Sequence, residues 1–261
     1  MLHKNLDINE QGHLSIAGYD TVALAEKYGT PLYVLDTDCV YDNCVRYKNL
    51  IEKYFGVGSK PLFASKALSC KEVYRIAAKA GIGIDVVSGG EIYTASAAGF
   101  PMGNAYFHGN NKTDADIAFA LDRGVGCFVV DNIEEMNALQ AEANKRGATV
   151  RVMLRVSPGI DPHTHKAVVT GSVDSKFGIA IETGQALEAV KHLVSCANLE
   201  FEGLHCHIGS QIFEYTPFAD AAKTLIKFIS IVNKEVGVNV PALNLGGGFG
   251  IKYTEKDDPV P

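Results

Sequence analysis

What this 261-residue sequence lacks already excludes several classes of protein. No apolar run approaches the ~20 residues a membrane helix needs. The opening stretch MLHKNLDINEQGHLS has no apolar core of the kind a secretory signal carries, so a cytoplasmic protein is expected. Basic residues form no run, and 24 Lys and Arg against 30 Asp and Glu leave a formal charge of −6. That balance speaks against a surface built on contacts to nucleic-acid phosphates. The six cysteines, Cys39, Cys44, Cys70, Cys127, Cys196 and Cys206, contain no C-x-x-C pair. Most sit in apolar helix or strand patterns, which predicts reduced, mostly buried thiols rather than a disulfide set. Low-complexity segments and close repeats are also missing. What remains is an ordinary globular composition, 47% hydrophobic and 21% charged, at a length that suits one α/β barrel with a sizeable core.

The pattern that is present is a rhythm of short apolar runs and longer amphipathic ones. A lead-in helix is expected near 19–29, a strand at PLYVLD (31–36), and a helix over 37–55, where Val40, Cys44, Tyr47, Leu50, Ile51 and Tyr54 recur at helical spacing. Strand-like runs follow at 61–65, 82–87, 105–109, 127–131, 150–156, 201–208 and 242–247. Helical patterns lie between them near 69–80, 89–98, 113–122, 132–146, 183–196 and 217–235. This alternation predicts βαβ units and a parallel sheet covered on both faces. Seven strands from residue 61 onward fit a (β/α)8 barrel short of one strand and fit an open doubly wound sheet equally well.

Polar residues collect where these strands end: Lys66, then Asp85 and Ser88, His108, Asp131, Arg155, His207 with Ser210, and Asn244 before the glycines of GGGFG (246–250). Parallel α/β proteins build their sites along that edge. Taken singly, Asp131 before NIEE reads as a helix N-cap, and Asp85 and Ser88 as turn or cap residues. The run NLGGGFG allows close backbone approach to an anion, with phosphate as the natural guest. It matches neither the Walker pattern nor a dinucleotide fingerprint. In GLHCHIGSQI, His205 and His207 fall on one face of a strand. They could bind a metal, with His108, His163, His165 or Cys206 assisting. One could instead stack on a flat cofactor ring, or both could be ordinary half-buried histidines. The long polar segment 161–179 reads as a functional loop.

Lys66 sits among small and apolar neighbours in PLFASKALSC, where a cationic chain needs a partner, a lost proton or a covalent bond. A lysine, a phosphate cradle and a histidine for stacking, brought to one edge, describe a pyridoxal phosphate site.

The motifs FASKAL, IGIDVVSGGEI, HGNNK, DPHTHKAVVTGSVDSKFGI, GLHCHIGSQI and LNLGGGFGI occur in family order over nearly the whole chain. With them the sequence resembles the fold-type III pyridoxal phosphate-dependent decarboxylases, in their diaminopimelate branch. The resemblance implies an alanine racemase-like (β/α)8 barrel over 37–261, preceded by a segment, 1–36, whose strand at 31–36 pairs into a second, β-rich domain. It implies pyridoxal 5'-phosphate bound to Lys66, His207 stacked on the ring, and phosphate held by Ser210, Gly246, Gly247 and Gly248. Asp85 and Arg155 would line the site, and no metal is implied. The reaction would take carbon dioxide from meso-diaminopimelate to give L-lysine, in a full-length homodimer. The family's eighth strand with its Glu-Pro-Gly-Arg motif, its second domain, and a later cysteine and tyrosine do not occur in these residues. The chain therefore reads as the N-terminal portion of such an enzyme, of marginal stability and weak or no activity by itself.

Three other readings stand beside this one. The substrate could be that of a related decarboxylase acting on carboxynorspermidine, ornithine, arginine or a D-amino acid. The barrel could be a metal-dependent hydrolase using His205 and His207, although such pairs usually sit on the first strand. Or the chain could bind pyridoxal phosphate without catalysis.

Overall fold

The computed structural model describes residues 5–160 and 176–259. The chain forms two compact units, Met1–Ile84 with Ala97–Phe100, and Asp85–Ser96 with Pro101–Pro261.

The first unit opens with an antiparallel meander, β1 (Leu6–Ile8), β2 (Leu14–Ile16) and β3 (Tyr19–Asp20), with Asp7 opposite Ser15 and Ile16 opposite Tyr19. These strands are too short to register as periodic patterns, and the sequence reading missed them. Asp20 ends the meander and caps helix α1 (Thr21–Tyr28), accepting from the N–H groups of Val22 and Ala23. Residues 31–36, expected to form a strand, form none. Their apolar side chains are exposed, Tyr33 completely so, and a strand needs a neighbouring backbone to bond. The segment instead ends at Asp36, which caps α2 (Thr37–Phe55) by accepting from Cys39 N–H at 2.9 Å. Strand β4 (Leu62–Ala64) runs into a 3-10 turn, Ser65–Ala67. Helix α3 (Lys71–Ala80) then buries Val73, Tyr74, Ile76, Ala77 and Ala80 along one face. Each of the larger side chains there contributes about 1.5–3 kcal/mol by leaving water. Gly81, at φ 72°, ends the helix with a left-handed cap. Strand β5 (Gly83–Val86) begins in this unit, where Gly83 N–H donates to Pro61 O beside β4.

The second unit repeats strand and helix. Its elements are α4 (Gly89–Ala97), β6 (Ala105–Phe107), α5 (Asp114–Asp122), β7 (Cys127–Val130), α6 (Ile133–Arg146) and β8 (Val150–Ser157). They continue with a short β9 (Ile179–Ala180), α7 (Gln185–Ser195), β10 (Leu199–His205), α8 (Thr216–Glu235) and β11 (Ala242–Asn244). The sheet order is β4, β5, β6, β7, β8, β10, β11, with β9 pairing the end of β8. The ladders β6–β7, β7–β8, β8–β10 and β10–β11 are parallel. Each strand of this path lies beside the next one in the chain. A doubly wound sheet would reverse that order at a switch point, so the order decides for the barrel type. In β8 every residue except Arg151 is buried, as expected of a strand covered on both faces. Helix α8 turns Pro217, Ala221, Leu225, Phe228 and Val232 inward at helical spacing. The β8–β10 ladder slips between Phe201 and Gly203. There the bulged Glu202 accepts from Tyr106 Oη at 3.2 Å and pairs with Arg151 at 3.2 Å.

All six cysteines are free. Three of them, Cys44, Cys127 and Cys206, are buried and the other three partly so, which is fewer than expected. Among the described residues, no helix is long and apolar enough to cross a membrane.

Candidate functional site

In the first unit, Lys66 stands exposed on the 3-10 turn that closes β4, directly after the buried Ser65. The short turn lifts the lysine off the strand at the point where β4 stops pairing.

The second unit gathers most of the other expected residues at the C-terminal strand ends. The parallel register sets Arg155 of β8 beside His205 of β10, and His205 beside Asn244 of β11. Asp85 of β5 lies 3.8 Å from the Nε2 of His108, which directly follows β6. The His108 and His205 rings meet edge to face with centroids 4.6 Å apart. Arg155 has Asp131 at 3.5 Å and covers the Phe177 ring at 4.6 Å. This cluster is almost dry: His108, Asp131, Arg155 and His205 are all buried.

Burial dominates the electrostatics. It holds His205 well below its ordinary pKa, helped by the nearby His108, Arg155, His207 and Lys112, so the imidazole is neutral. Burial lowers Arg155 too, while Asp131 and Asp85 oppose the shift and favour the cation. The Cys206 thiol is pushed up to about 12 by burial, so it is no nucleophile at neutral pH. The neutral, buried His205 is a ring that packs and orients. His207 lies beyond the end of β10 and is half-buried. The two histidines thus differ in setting, although they alternate in sequence as a same-face pair. Among the described residues, no three His, Cys, Asp or Glu side chains stand together as a metal site. His163 and His165, with the rest of 161–175, lie outside the described residues.

The glycine run packs against the histidine loop. A Cβ on Gly246 would come within 2.6 Å of Cys206 O and 2.9 Å of His207 Nδ1. A Cβ on Gly248 would come within 1.9 Å of Gly209 O and 3.4 Å of His207 Cε1. Only glycine permits this approach, and at φ 72° and 105° both positions also favour it conformationally. Asn244 Oδ1 accepts from Gly246 N–H at 2.8 Å and starts the turn. The two loops are then stitched together: Ile212 N–H donates to Gly248 O, and Gly250 N–H to Ile212 O. Gln211 also exchanges two hydrogen bonds with Ile251. Gly247 differs, since a Cβ there would meet nothing within 4 Å. The N–H groups of Gly247 and Gly248 have no hydrogen-bond partner among the described residues. Two free amides on a glycine run packed against a half-buried imidazole fit a phosphate-bearing flat ring. Ser210 is exposed on the same loop.

One expectation holds and one changes. Ser88 is a helix-start residue, accepting from Glu91 N–H at 3.3 Å, but Asp131 is not. The cap of α6 is Asn132, which accepts from Glu135 N–H. The spacing alone does not separate the two, since Asp131 and Asn132 each have a glutamate three residues on, Glu134 and Glu135. Asp131 turns into the site instead, where its Oδ2 accepts from Gly178 N–H at 3.0 Å. The sequence reading also missed the buried pair of Lys112 and Glu135. The HGNNK motif and the second glutamate of NIEE were the signals available for it.

Residues 41–261 match the family model described as pyridoxal-dependent decarboxylase, pyridoxal binding domain. Over 259 residues the chain is 43% identical to the diaminopimelate decarboxylase of Bacillus methanolicus, covering 99% of this chain and 60% of that one. The Bacillus subtilis diaminopimelate decarboxylase is 42% identical, over 99% and 59%. The structure of the diaminopimelate decarboxylase from M. jannaschii in co-complex with L-lysine is similar at a TM-score of 0.86 and 34% identity, over 98% of this chain and 59% of that one. A lysine/ornithine decarboxylase from Vibrio vulnificus, complexed with cadaverine, is similar at 0.73 and 27%, over 89% and 57%. The chain spans about three fifths of the length of the relatives it matches.

Proposed function

Because the chain belongs to the pyridoxal-dependent decarboxylases through their pyridoxal binding domain, we propose that it is the cofactor-binding part of an enzyme that converts meso-diaminopimelate to L-lysine and carbon dioxide. The observation that carries this reading is the pairing of the unpartnered Gly247 and Gly248 amides with His207, packed against the same glycine run. The identity to diaminopimelate decarboxylases along almost the whole chain supports the choice of substrate.

In this reading Lys66 would hold the cofactor covalently. Gly246, Gly247, Gly248 and Ser210 would hold its phosphate, and His207 would lie against its ring. When bound, pyridoxal phosphate supplies the electron sink for the carbanion left by the departing carboxylate. The chain's own residues bind and orient. Arg155, buried and paired with Asp131, presents a fixed positive charge to an anionic oxygen, in surroundings where charge is poorly screened. Asp85, within 3.8 Å of His108, carries the opposite charge in the same cluster. His205, neutral and packed on His108, keeps water from that side. The full-length form would be a cytoplasmic homodimer.

Borohydride reduction of the purified chain with pyridoxal phosphate, followed by peptide mapping, tests the site. A pyridoxyl mass is expected on the Lys66 peptide and none on Lys112, whose amino group is enclosed by three acceptors. Folded protein with Lys66 unmodified would sink the reading. Released carbon dioxide from a panel of meso-diaminopimelate, ornithine, arginine and carboxynorspermidine tests the substrate, and preference for any of the last three would reassign it.

A further inference from the structure

Asp131 sits where two sets of contacts meet. Toward the site, its carboxylate accepts from Gly178 N–H at 3.0 Å and lies 3.5 Å from Arg155 Nη1. Behind it, its own N–H donates to Glu135 Oε2 at 3.0 Å. Glu135 Oε1 in turn takes Lys112 Nζ at 2.7 Å. Lys112 also donates to Gly109 O and Val129 O, both at 2.8 Å, and so ties the loop after β6 to strand β7. The contacts run from one loop, through the start of α6, to the arginine of β8. Side-chain exposure along this path is 1% at Lys112, 4% at Glu135, 3% at Asp131 and 10% at Arg155. Arg155 also feels the charge of Asp85. With two carboxylates nearby, the one in contact decides where a long, flexible arginine points, and that one is Asp131. Such anchoring removes the rotamer freedom that a ligand would otherwise have to freeze.

The geometry points to Asp131 as a positioning residue: it fixes Arg155 for an anionic oxygen of a bound ligand, and the buried Lys112–Glu135 pair fixes Asp131. Only the identity of that ligand rests on the proposed function; the positioning itself does not.

The test is labelling of the intact, ligand-free chain with phenylglyoxal, read by peptide mass mapping. The reagent attacks neutral, accessible guanidines, and a neighbouring carboxylate opposes both conditions. Asp131→Asn keeps the shape and the acceptor for Gly178 but removes the charge. Arg155 is expected to react about fivefold faster or more in this variant, with Arg75, Arg123 and Arg151 unchanged. The double change Lys112→Met with Glu135→Leu, which removes the pair without leaving a buried charge, should accelerate Arg155 in the same direction, and it gives the same readout should Asp131→Asn fail to fold. Asp131→Glu, which restores the charge, should return the rate to within about twofold of the parent. An unchanged Arg155 rate in folded variants overturns the proposal, and so does equal acceleration of every arginine, which would report general loosening. Protection of Arg155 by added pyridoxal phosphate reads the cofactor assignment separately. Faster labelling in the variant supports the positioning role whether or not that protection is seen.

Discussion

Lys112 and Glu135 meet at 2.7 Å with their side chains almost wholly out of water, although 23 residues separate them in sequence. Removing one member of such a pair leaves an uncompensated buried charge and costs about 3–5 kcal/mol. Replacing both with apolar residues of similar volume removes that penalty. Lys112→Met alone should therefore lower the urea midpoint more than the double change Lys112→Met with Glu135→Leu. Strict additivity of the two single changes in denaturant titrations would mean that the pair is not coupled.

The three glycines should separate folding from binding. Gly246→Ala and Gly248→Ala each force a left-handed backbone and a clash with a carbonyl of the histidine loop. Backbone strain alone costs of order 1–3 kcal/mol at each, and both variants should melt earlier. Gly247→Ala meets nothing, so its melting temperature should stay close to the parent's, while pyridoxal phosphate binding weakens because the new methyl is added to the run proposed to hold the phosphate. Unchanged cofactor affinity in Gly247→Ala would place the phosphate elsewhere.

His205 should make the fold sensitive to mild acid. Its folded pKa lies well below 6.5 because the ring is buried among other cationic or protonatable groups, whereas in the unfolded chain it titrates near 6.5. Below that value the unfolded state takes up a proton that the folded state refuses. Stability contributed by the neutral ring is thus full above pH 6.5 and declines as pH falls toward the lowered folded value. Urea midpoints at pH 7 and pH 5 should differ more for the parent than for His205→Gln, and equal differences would refute a buried neutral His205.

Asp20 should act in stronger acid. Its carboxylate accepts from His13 and from the first amides of α1, and its pKa falls from 3.8 to about 2, chiefly through the His13 hydrogen bond. The stability it contributes is present above pH 3.8 and is lost as pH falls toward 2. A carboxyl resonance of Asp20 that titrates near 4 would contradict the cap geometry. Asp20→Asn, which can still cap, should flatten this part of the acid profile.

Much of the fold was legible because long amphipathic helices and continuous apolar strands carry their own periodicity. Helix α2 occupies 37–55 as expected, and each of the seven strands β4–β8, β10 and β11 overlaps its predicted run. The failures are local. Strand formation needs a bonding partner as well as apolar residues, so PLYVLD forms no strand while three very short segments near the N-terminus do. Whether the sheet was of the barrel or the doubly wound type depended on which strands pair. That is a contact between distant residues, and local pattern does not encode it.

The site divides along the same line. The residue types at the strand ends, Asp85, His108, Arg155, His207 and the glycines, follow from the sequence alone, because parallel strands deliver whatever follows them to one edge. The tertiary structure decided which of them touch. It set Asp131 against Arg155 rather than on the helix it precedes, buried His205 while leaving His207 half-exposed, and closed Lys112 onto Glu135. Charge state and orientation depend on burial and on partners tens of residues away. They exist only once the strands have paired and the water has gone.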